Sequence, residues 1–329
     1  MSALRFAILG TGRIASDYLT ALEGVPELEL VGLCDPRQEV VQALGERWAV
    51  PAFTLREDLF EHTAVEAVLV AAPPALHEEL SVDCLARGAH VLCEKPLALD
   101  SGSGLRMLEA AEQANLTLTM SAKFRHVPDL IEAKARIESG QLGRMAIADN
   151  VFASSVSMAG RWNSDPAIGG GGVLMDNGTH SVDLMRYLFG PVQWVDAVEG
   201  PRIQDLEVED SVRLCLGFAG GLVARVDLSW SFSTFDDWYV AVHGDQGSLR
   251  LGWRGSLLQR RDGTRQEFGV GYRKIQALGR QLSHFGRLAA GKEEALLARE
   301  DLMASIRVVE AAYASLESGR RVEILESAT

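Results

Sequence analysis

The chain has 329 residues, with 32 Lys+Arg against 45 Asp+Glu, for a formal net charge of −13. Its length predicts about two domains of roughly 100–200 residues each. An acidic balance of this size argues against non-specific nucleic-acid binding and against a polybasic membrane contact, since both need clustered Lys and Arg.

At 47% hydrophobic and 23% charged residues, the composition is that of an ordinary globular protein. No run reaches the roughly 18–20 apolar residues of a membrane-spanning helix. The first dozen residues hold a short apolar run, but no small-residue cleavage motif follows. Cys34, Cys84, Cys93 and Cys215 are too few and too scattered for a disulfide framework. Cys34 and Cys93 sit in apolar strand-like runs, where a buried and inert thiol is expected. These features fit a reducing, cytoplasmic location.

In chain order, apolar strands alternate with helical stretches. Residues 4–9 form an apolar run, followed by Gly10-Thr-Gly-Arg-Ile-Ala15 and a helix to Leu22. Residues 29–34 read as a second strand ending at Asp35-Pro36, and 38–48 as a helix. Further strands are expected at 67–72, stopped by Pro73-Pro74, at 90–93, ending in Glu94-Lys95-Pro96, and at 116–120. Helices at 78–87 and 105–114 lie between them. This alternation predicts a doubly wound parallel sheet of the Rossmann α/β class.

Beyond Lys123 the pattern changes. Alternating segments at 212–218 and 222–230 flank Ala-Gly-Gly, and segments at 238–243 and 249–253 flank Gly-Asp-Gln-Gly. They predict an antiparallel sheet within an α+β domain. Leu302, Ile306, Val309, Tyr313 and Leu316 recur at helical spacing, and Gly319 supplies a stop. The expected division is residues 1–121 for the Rossmann domain and 122–329 for the α+β domain. The C-terminal helix is free to pack back on the first.

Gly10-x-Gly12-x-x-Ala15 follows a strand and opens a helix. Its first glycine permits the tight turn, the second admits a pyrophosphate, and the small third residue allows close helix–strand packing. The N–H groups of the new helix then face the phosphates. Asp35, at the end of the second strand, suits the adenine ribose hydroxyls. It favours NAD over NADP, a preference that Arg37 softens. Thr11, Arg13 and Ile14 belong to the same turn. Ala72, Pro73, His77, Glu94 and Lys95 stand at the carboxyl ends of later strands, where open α/β sheets bind ligands. They complete the expected cofactor-binding set, with a helix-capping role as the alternative for His77.

Asp176 and His180, in Gly169-Gly-Gly-Gly-Val-Leu-Met-Asp-Asn-Gly-Thr-His-Ser-Val-Asp183, are i and i+4 on a helix and so share one face. A carboxylate beside an imidazole fixes its tautomer and supports the imidazolium. Such a base suits removal of a hydroxyl proton during hydride transfer. A nearby lysine, Lys95, would stabilise a developing alkoxide. A metal site on Asp176 and His180 lacks an identifiable third ligand, and none is expected.

Taken together, the glycine fingerprint, Glu94-Lys95-Pro96 and the Gly-Gly-Gly-x-x-x-Asp-x-Gly-x-His run resemble the glucose–fructose oxidoreductase / inositol dehydrogenase / rhizopine catabolism (Gfo/Idh/MocA) family. The resemblance runs through essentially the whole chain. It implies an open, mostly antiparallel second sheet whose outer face assembles a homodimer or homotetramer. It also implies that this sheet and a helix over 169–188 close on the nicotinamide. Lys95, Asp176 and His180 match the family's catalytic positions, and Arg125 matches a position near its active site, with a linker salt bridge as the alternative. Trp162 and Asn163 are read as a wall near nicotinamide or substrate.

The activity implied is NAD(P)-dependent oxidation or reduction of a secondary alcohol or ketone on a sugar, polyol or derivative. An NAD-assisted glycosidase and a non-catalytic cofactor sensor of the same fold are the alternatives. Charge is unevenly spread, since residues 250–287 carry net +7 and the remainder −20. That segment reads as a solvated sheet edge or subunit contact, with an anionic-substrate site as the sharper alternative.

Overall fold

The structure, a computed structural model, describes residues 3–324. They divide into two compact units, one of residues 3–123 with 274–303, the other of residues 124–273 with 304–324.

In the first unit the strands are β1 (Leu4–Leu9), β2 (Leu28–Cys34), β3 (Ala52–Phe53), β4 (Ala67–Val70), β5 (His90–Cys93) and β6 (Leu118–Met120). Between them run α1 (Arg13–Leu22), α2 (Gln38–Trp48), α3 (Arg56–His62), α4 (His77–Ala86) and α5 (Ser101–Ala114). All the strands are parallel, in the order β3-β2-β1-β4-β5-β6. The order reverses between β1 and β4, the topological switch point at which doubly wound sheets bind nucleotides. The expected α/β class is therefore observed. β1 and β4 are apolar on both faces because helices cover both sides: Phe6, Ala7, Ile8 and Ala67 through Val70 are wholly buried.

The second unit carries α6 (Pro128–Glu138), β7 (Met145–Ala153), the single turn α7 (Pro166–Gly169) and α8 (Thr179–Phe189). Strands β8 (Val192–Glu199), β9 (Ser211–Phe218), β10 (Val223–Ser229), β11 (Trp238–Gly244), β12 (Gly247–Gly252), β13 (Ser256–Arg260) and β14 (Arg265–Phe268) follow. The sheet order is β14-β13-β12-β11-β7-β10-β9-β8-β15, where β15 is Val322–Glu323. Among the described residues of this sheet only the central β7–β10 pair is parallel, so the expected mostly antiparallel sheet is present.

A single helix over 169–188 is not what forms. Gly170 and Gly171 take φ of +77° and +158°, and the chain re-enters helix only at Val173. Leu174–Gly178 is a π turn that runs into α8. At Gly171 and Gly172 a neighbour occupies the space of any side chain. A Cβ on Gly171 would lie 1.9 Å from the Tyr313 hydroxyl, and one on Gly172 would lie 2.0 Å from the Glu209 carbonyl oxygen.

The basic segment falls in both units. Its first part lies in β12–β14, whereas Lys274 to Arg287 lie in α9 (Lys274–Ala289), which clusters with the first unit. The long helix α10 (Arg299–Ser318) begins in one unit and ends in the other. In α9, Leu278, Leu282 and Phe285 bury completely in the core that holds Phe6, Tyr18 and Leu19. Lys274 pairs with Asp17, and Arg287 with Glu27 and Glu293. These helix cations are therefore neutralised within the unit.

His77 ties two turns of the first unit together. Its ring is wholly buried, with Nδ1 2.8 Å from the Pro96 carbonyl oxygen and Nε2 2.9 Å from that of Ala72. A neutral imidazole has one N–H and satisfies one of these acceptors; an imidazolium satisfies both. Burial outweighs the two carbonyls and holds its pKa below the ordinary histidine value. The four cysteines are unpaired, and burial raises the Cys34 thiol to about 11 and the Cys84 thiol to about 12. Among the described residues no helix is long and apolar enough to cross a membrane.

Leu282→Ala is expected to lower the unfolding free energy by about 2–5 kcal/mol, measured by urea titration. A loss below about 0.5 kcal/mol would remove α9 from this core. His77 should also give the fold an acid-sensitive component. Its pKa is depressed, so the unfolded chain binds more protons, and the stability present above the ordinary value of 6.5 is lost as pH falls beneath it. The melting temperature should therefore fall less steeply between about pH 7.5 and 5.5 in His77→Gln than in the parent. Identical slopes would count against this role.

Candidate functional site

In the first unit the candidate residues gather at the carboxyl ends of β1, β2, β4 and β5. Gly10 has φ +91°, and a Cβ there would come within 2.7 Å of the Ala71–Ala72 backbone. Only glycine fits this turn, on both counts. A Cβ on Gly12 would meet nothing within 4 Å, and Gly12 caps α1 with no side-chain hydrogen bond. The start of α1 thus presents open backbone N–H groups on a small-residue turn, which fits a dinucleotide pyrophosphate. Arg13 is exposed beside it, and Ile14 packs against the core below. Ala15, fully buried, is the small residue that the helix–strand contact requires.

Asp35 stands at the end of β2, 4% exposed, and its carboxylate is fully engaged. Oδ2 accepts from the Thr11 N–H at 2.7 Å and from Arg37 Nη2 at 2.7 Å. Oδ1 accepts from the Arg37 N–H at 3.0 Å and from Arg37 Nε at 2.8 Å. Burial pushes the carboxyl pKa up, but the Arg37 guanidinium and the two backbone N–H groups outweigh it and hold it well below the usual carboxylate range. Arg37 itself remains 59% exposed, so its outer N–H groups face solvent.

Ala72 and Pro73 form the turn after β4, where the Ala72 carbonyl meets His77. Glu94 and Lys95 form the turn after β5, followed by a cis Lys95–Pro96 bond. Glu94 is 8% exposed and belongs to a buried network that the sequence did not reveal. Tyr18 Oη donates to Glu94 Oε1 at 2.6 Å and shares a 2.8 Å hydrogen bond with Ser121 Oγ, while Gln281 Nε2 donates to Tyr18 Oη at 2.8 Å. Burial and the Glu94 charge raise the Tyr18 pKa, so its phenol stays a fixed donor. The other Glu94 oxygen, Oε2, accepts the Lys95 N–H at 3.2 Å. The turn that carries Lys95 is therefore anchored by α1, by Ser121 just beyond β6 and by α9.

In the second unit, Asp176 lies in the π turn and His180 in the first turn of α8, both part-exposed. An i→i+5 turn is wider than an α turn and is frequent at functional sites. Phe124 stands edge-on to the His180 ring, with centroids 5.5 Å apart, and Phe152, Tyr239 and Tyr272 continue that aromatic wall. Arg125 is 3% exposed and held by Asp183, with Nε 2.9 Å and Nη2 2.8 Å from Oδ1. Its guanidinium also lies over the Tyr187 ring. Trp162 is 42% exposed on a short 3-10 turn, and the Asn163 carbonyl oxygen lies 3.0 Å from where a Gly169 Cβ would be.

Sequence reasoning also missed Glu209 and Tyr313, which hold the turn carrying Asp176. Neither lies near that turn in the chain; Tyr313 is legible there only as part of a helix period, and nothing local marks Glu209. Among the described residues no cluster of three or more His, Cys, Asp or Glu side chains is arranged for a metal ion.

Comparison with known proteins bears on both units. Residues 4–122 match the model of an oxidoreductase family with an NAD-binding Rossmann fold, and residues 130–250 match the GFO/IDH/MocA C-terminal domain. An uncharacterized oxidoreductase of Schizosaccharomyces pombe is 32% identical over 66% of this chain; the match spans 61% of that relative's length. The D-apiose dehydrogenase of Paraburkholderia graminis is 26% identical over 97% of this chain and 89% of its own. A levoglucosan dehydrogenase solved with NADH and levoglucosan shares the fold, with a TM-score of 0.91 at 19% identity over 98% of this chain and 100% of that one. With both of its domains matched by the family models, and with the fingerprint turn and the Gly-Gly-Gly-x-x-x-Asp-x-Gly-x-His run in place, the chain belongs to the Gfo/Idh/MocA oxidoreductase family.

Proposed function

We propose that the chain transfers a hydride between a nicotinamide cofactor and a secondary alcohol or ketone of a polyol, sugar or sugar derivative. The observation that carries this reading is the Asp176–His180 arrangement on the turn into α8, in a chain whose first unit has a nucleotide-type switch point. Relatives named as sugar dehydrogenases support the substrate class.

His180 is the base that takes the hydroxyl proton, with Asp176 fixing the imidazole and supporting its charge. Lys95 supplies positive charge to the oxygen and lowers the cost of the alkoxide. The nicotinamide, when bound, accepts or returns the hydride. Gly10, Thr11, Gly12, Arg13 and Ile14 receive the pyrophosphate, with Ala72, Pro73 and the Glu94–Lys95 turn lining the rest of the cofactor site and His77 supporting it. Arg125 acts through Asp183, and Trp162 and Asn163 border the substrate.

Asp35 favours NAD, because a carboxylate at this strand end opposes a 2′-phosphate. Arg37 neutralises that carboxylate and offers an exposed guanidinium, so NADP is accepted as the weaker ligand. Assembly as a homodimer or homotetramer would use the open sheet face. Cross-strand register puts Ile147, Asp149, Arg225, Asp227, Arg213 and Val198 on one side of β7, β10, β9 and β8. Two of these, Ile147 and Val198, are 54% and 62% exposed. The unpaired cysteines fit a reducing cytoplasm.

Screening inositols, free pyranoses and nucleotide sugars with NAD and NADP should give a net change in NADH or NADPH absorbance. Sugar release without net redox would identify an NAD-assisted glycosidase instead, and cofactor binding without turnover a sensor. Lys95→Ala and His180→Ala should each lower turnover by about 100-fold or more with cofactor binding retained. Parent-like turnover in both would end the catalytic assignment. By fluorescence titration, Arg37→Ala should weaken NADPH binding by about tenfold and leave NADH binding within about twofold. Asp35→Ala should cost NADH more than NADPH. NADPH affinity indifferent to Arg37 would refute its role as the discriminating residue.

A further inference from the structure

A single residue holds the whole entry to the π turn. The N–H of Gly172 donates to Glu209 Oε1 at 3.0 Å, the N–H of Leu174 donates to the same oxygen at 3.0 Å, and the intervening Val173 N–H donates to the Glu209 carbonyl at 2.9 Å. Three successive N–H groups at the helix start, ordinarily orphaned, thus end on one residue 35–37 positions away in the chain. The Asp176 N–H then donates to Gly172 O at 3.0 Å, which ties the backbone of the capped residue to that of Asp176.

Glu209 is itself fixed. It is 5% exposed, and Tyr313 of α10 donates its hydroxyl to Oε1 at 2.9 Å. The fit is close enough to exclude side chains from Gly171 and Gly172, as the 1.9 Å and 2.0 Å approaches require. Burial raises the Glu209 carboxyl pKa, while the N–H groups and the Tyr313 hydroxyl oppose that rise. A negative charge at a helix N-terminus is also favoured by the helix dipole.

A π turn is rare and needs tertiary support to persist. We infer that Glu209 and Tyr313 are positioning residues for the proposed reaction: they clamp the Gly172–Leu174 entry and thereby set the relative placement of Asp176 and His180. The inference rests on the proposed roles of Asp176 and His180 for its meaning, but the clamp is measurable without substrate.

The test is a histidine titration by NMR on the full chain labelled at histidine Cε1, with the His180 signal assigned from its loss in His180→Ala. Glu209→Gln puts an amide where a carboxylate accepts three donors, and Tyr313→Phe removes one donor while keeping the ring. In both variants the His180 midpoint should move by more than about 0.3 pH unit, more in Glu209→Gln, with the exposed His62 unmoved. Midpoints within about 0.3 pH unit of the parent would overturn the inference, even if melting temperatures fall, because a purely structural clamp changes stability alone. If Glu209→Gln does not fold, Tyr313→Phe decides. Parent-like turnover in His180→Ala would instead defeat the proposed reaction and leave the titration result standing.

Discussion

Buried carboxylates that accept backbone N–H groups are the interaction on which the loops of this protein depend. Asp35 takes the N–H groups of Thr11 and Arg37, and Glu94 that of Lys95. Asp129 takes those of Val270 and Gly271, Glu209 those of Gly172 and Leu174, and Asp210 those of Ile203 and Gln204. A loop that leaves a strand end has N–H groups without ladder partners, and burying them unpaired costs about 1–3 kcal/mol each. A carboxylate answers two or more at once and is fixed in return. Part of the chain's acidic excess is therefore structural.

That device explains why the candidate chemistry sits on turns and still has defined geometry. Lys95 follows a residue whose oxygens are held by Tyr18 and by the Lys95 N–H. Asp176 sits one turn beyond N–H groups that all end on Glu209. Preorganised placement matters for proton and hydride transfer because misplacement of about 1 Å from a distant change is enough to cost about 100-fold in rate. The glycines follow from the same contacts. Gly10 and Gly172 are glycine because backbone lies 2.7 Å and 2.0 Å from the position of a Cβ.

The chemical reading of Asp35 was refined in the same way. As a residue type at a strand end it signals ribose binding and a preference for NAD. In place, it is one half of a bidentate pair with Arg37, and its charge is largely compensated. The +7 segment changed meaning too. In its helical part, Lys274 pairs with Asp17 and Arg287 with Glu27 and Glu293.

What the sequence by itself determined is what local period and turn chemistry encode. The alternation of apolar strands and helices through Met120 and the Gly10–Ala15 turn was legible, because period and glycine placement act over a few residues. So were the hairpins flanking Ala219–Gly221 and Asp245–Gln246 and the stop at Gly319, where φ is +62°. Tertiary structure alone decided the π turn, the carboxylate clamps and the return of α9 to the first unit's core. Each depends on partners far apart in the chain: Glu209 on Gly172, Gln281 on Tyr18, Phe285 against Phe6. A helix period at 169–188 and an amphipathic stretch after Arg273 look ordinary in one dimension. Only the space occupied by Tyr313 and Glu209, and the core beside Tyr18 and Leu19, determines which turn forms and where the helix goes.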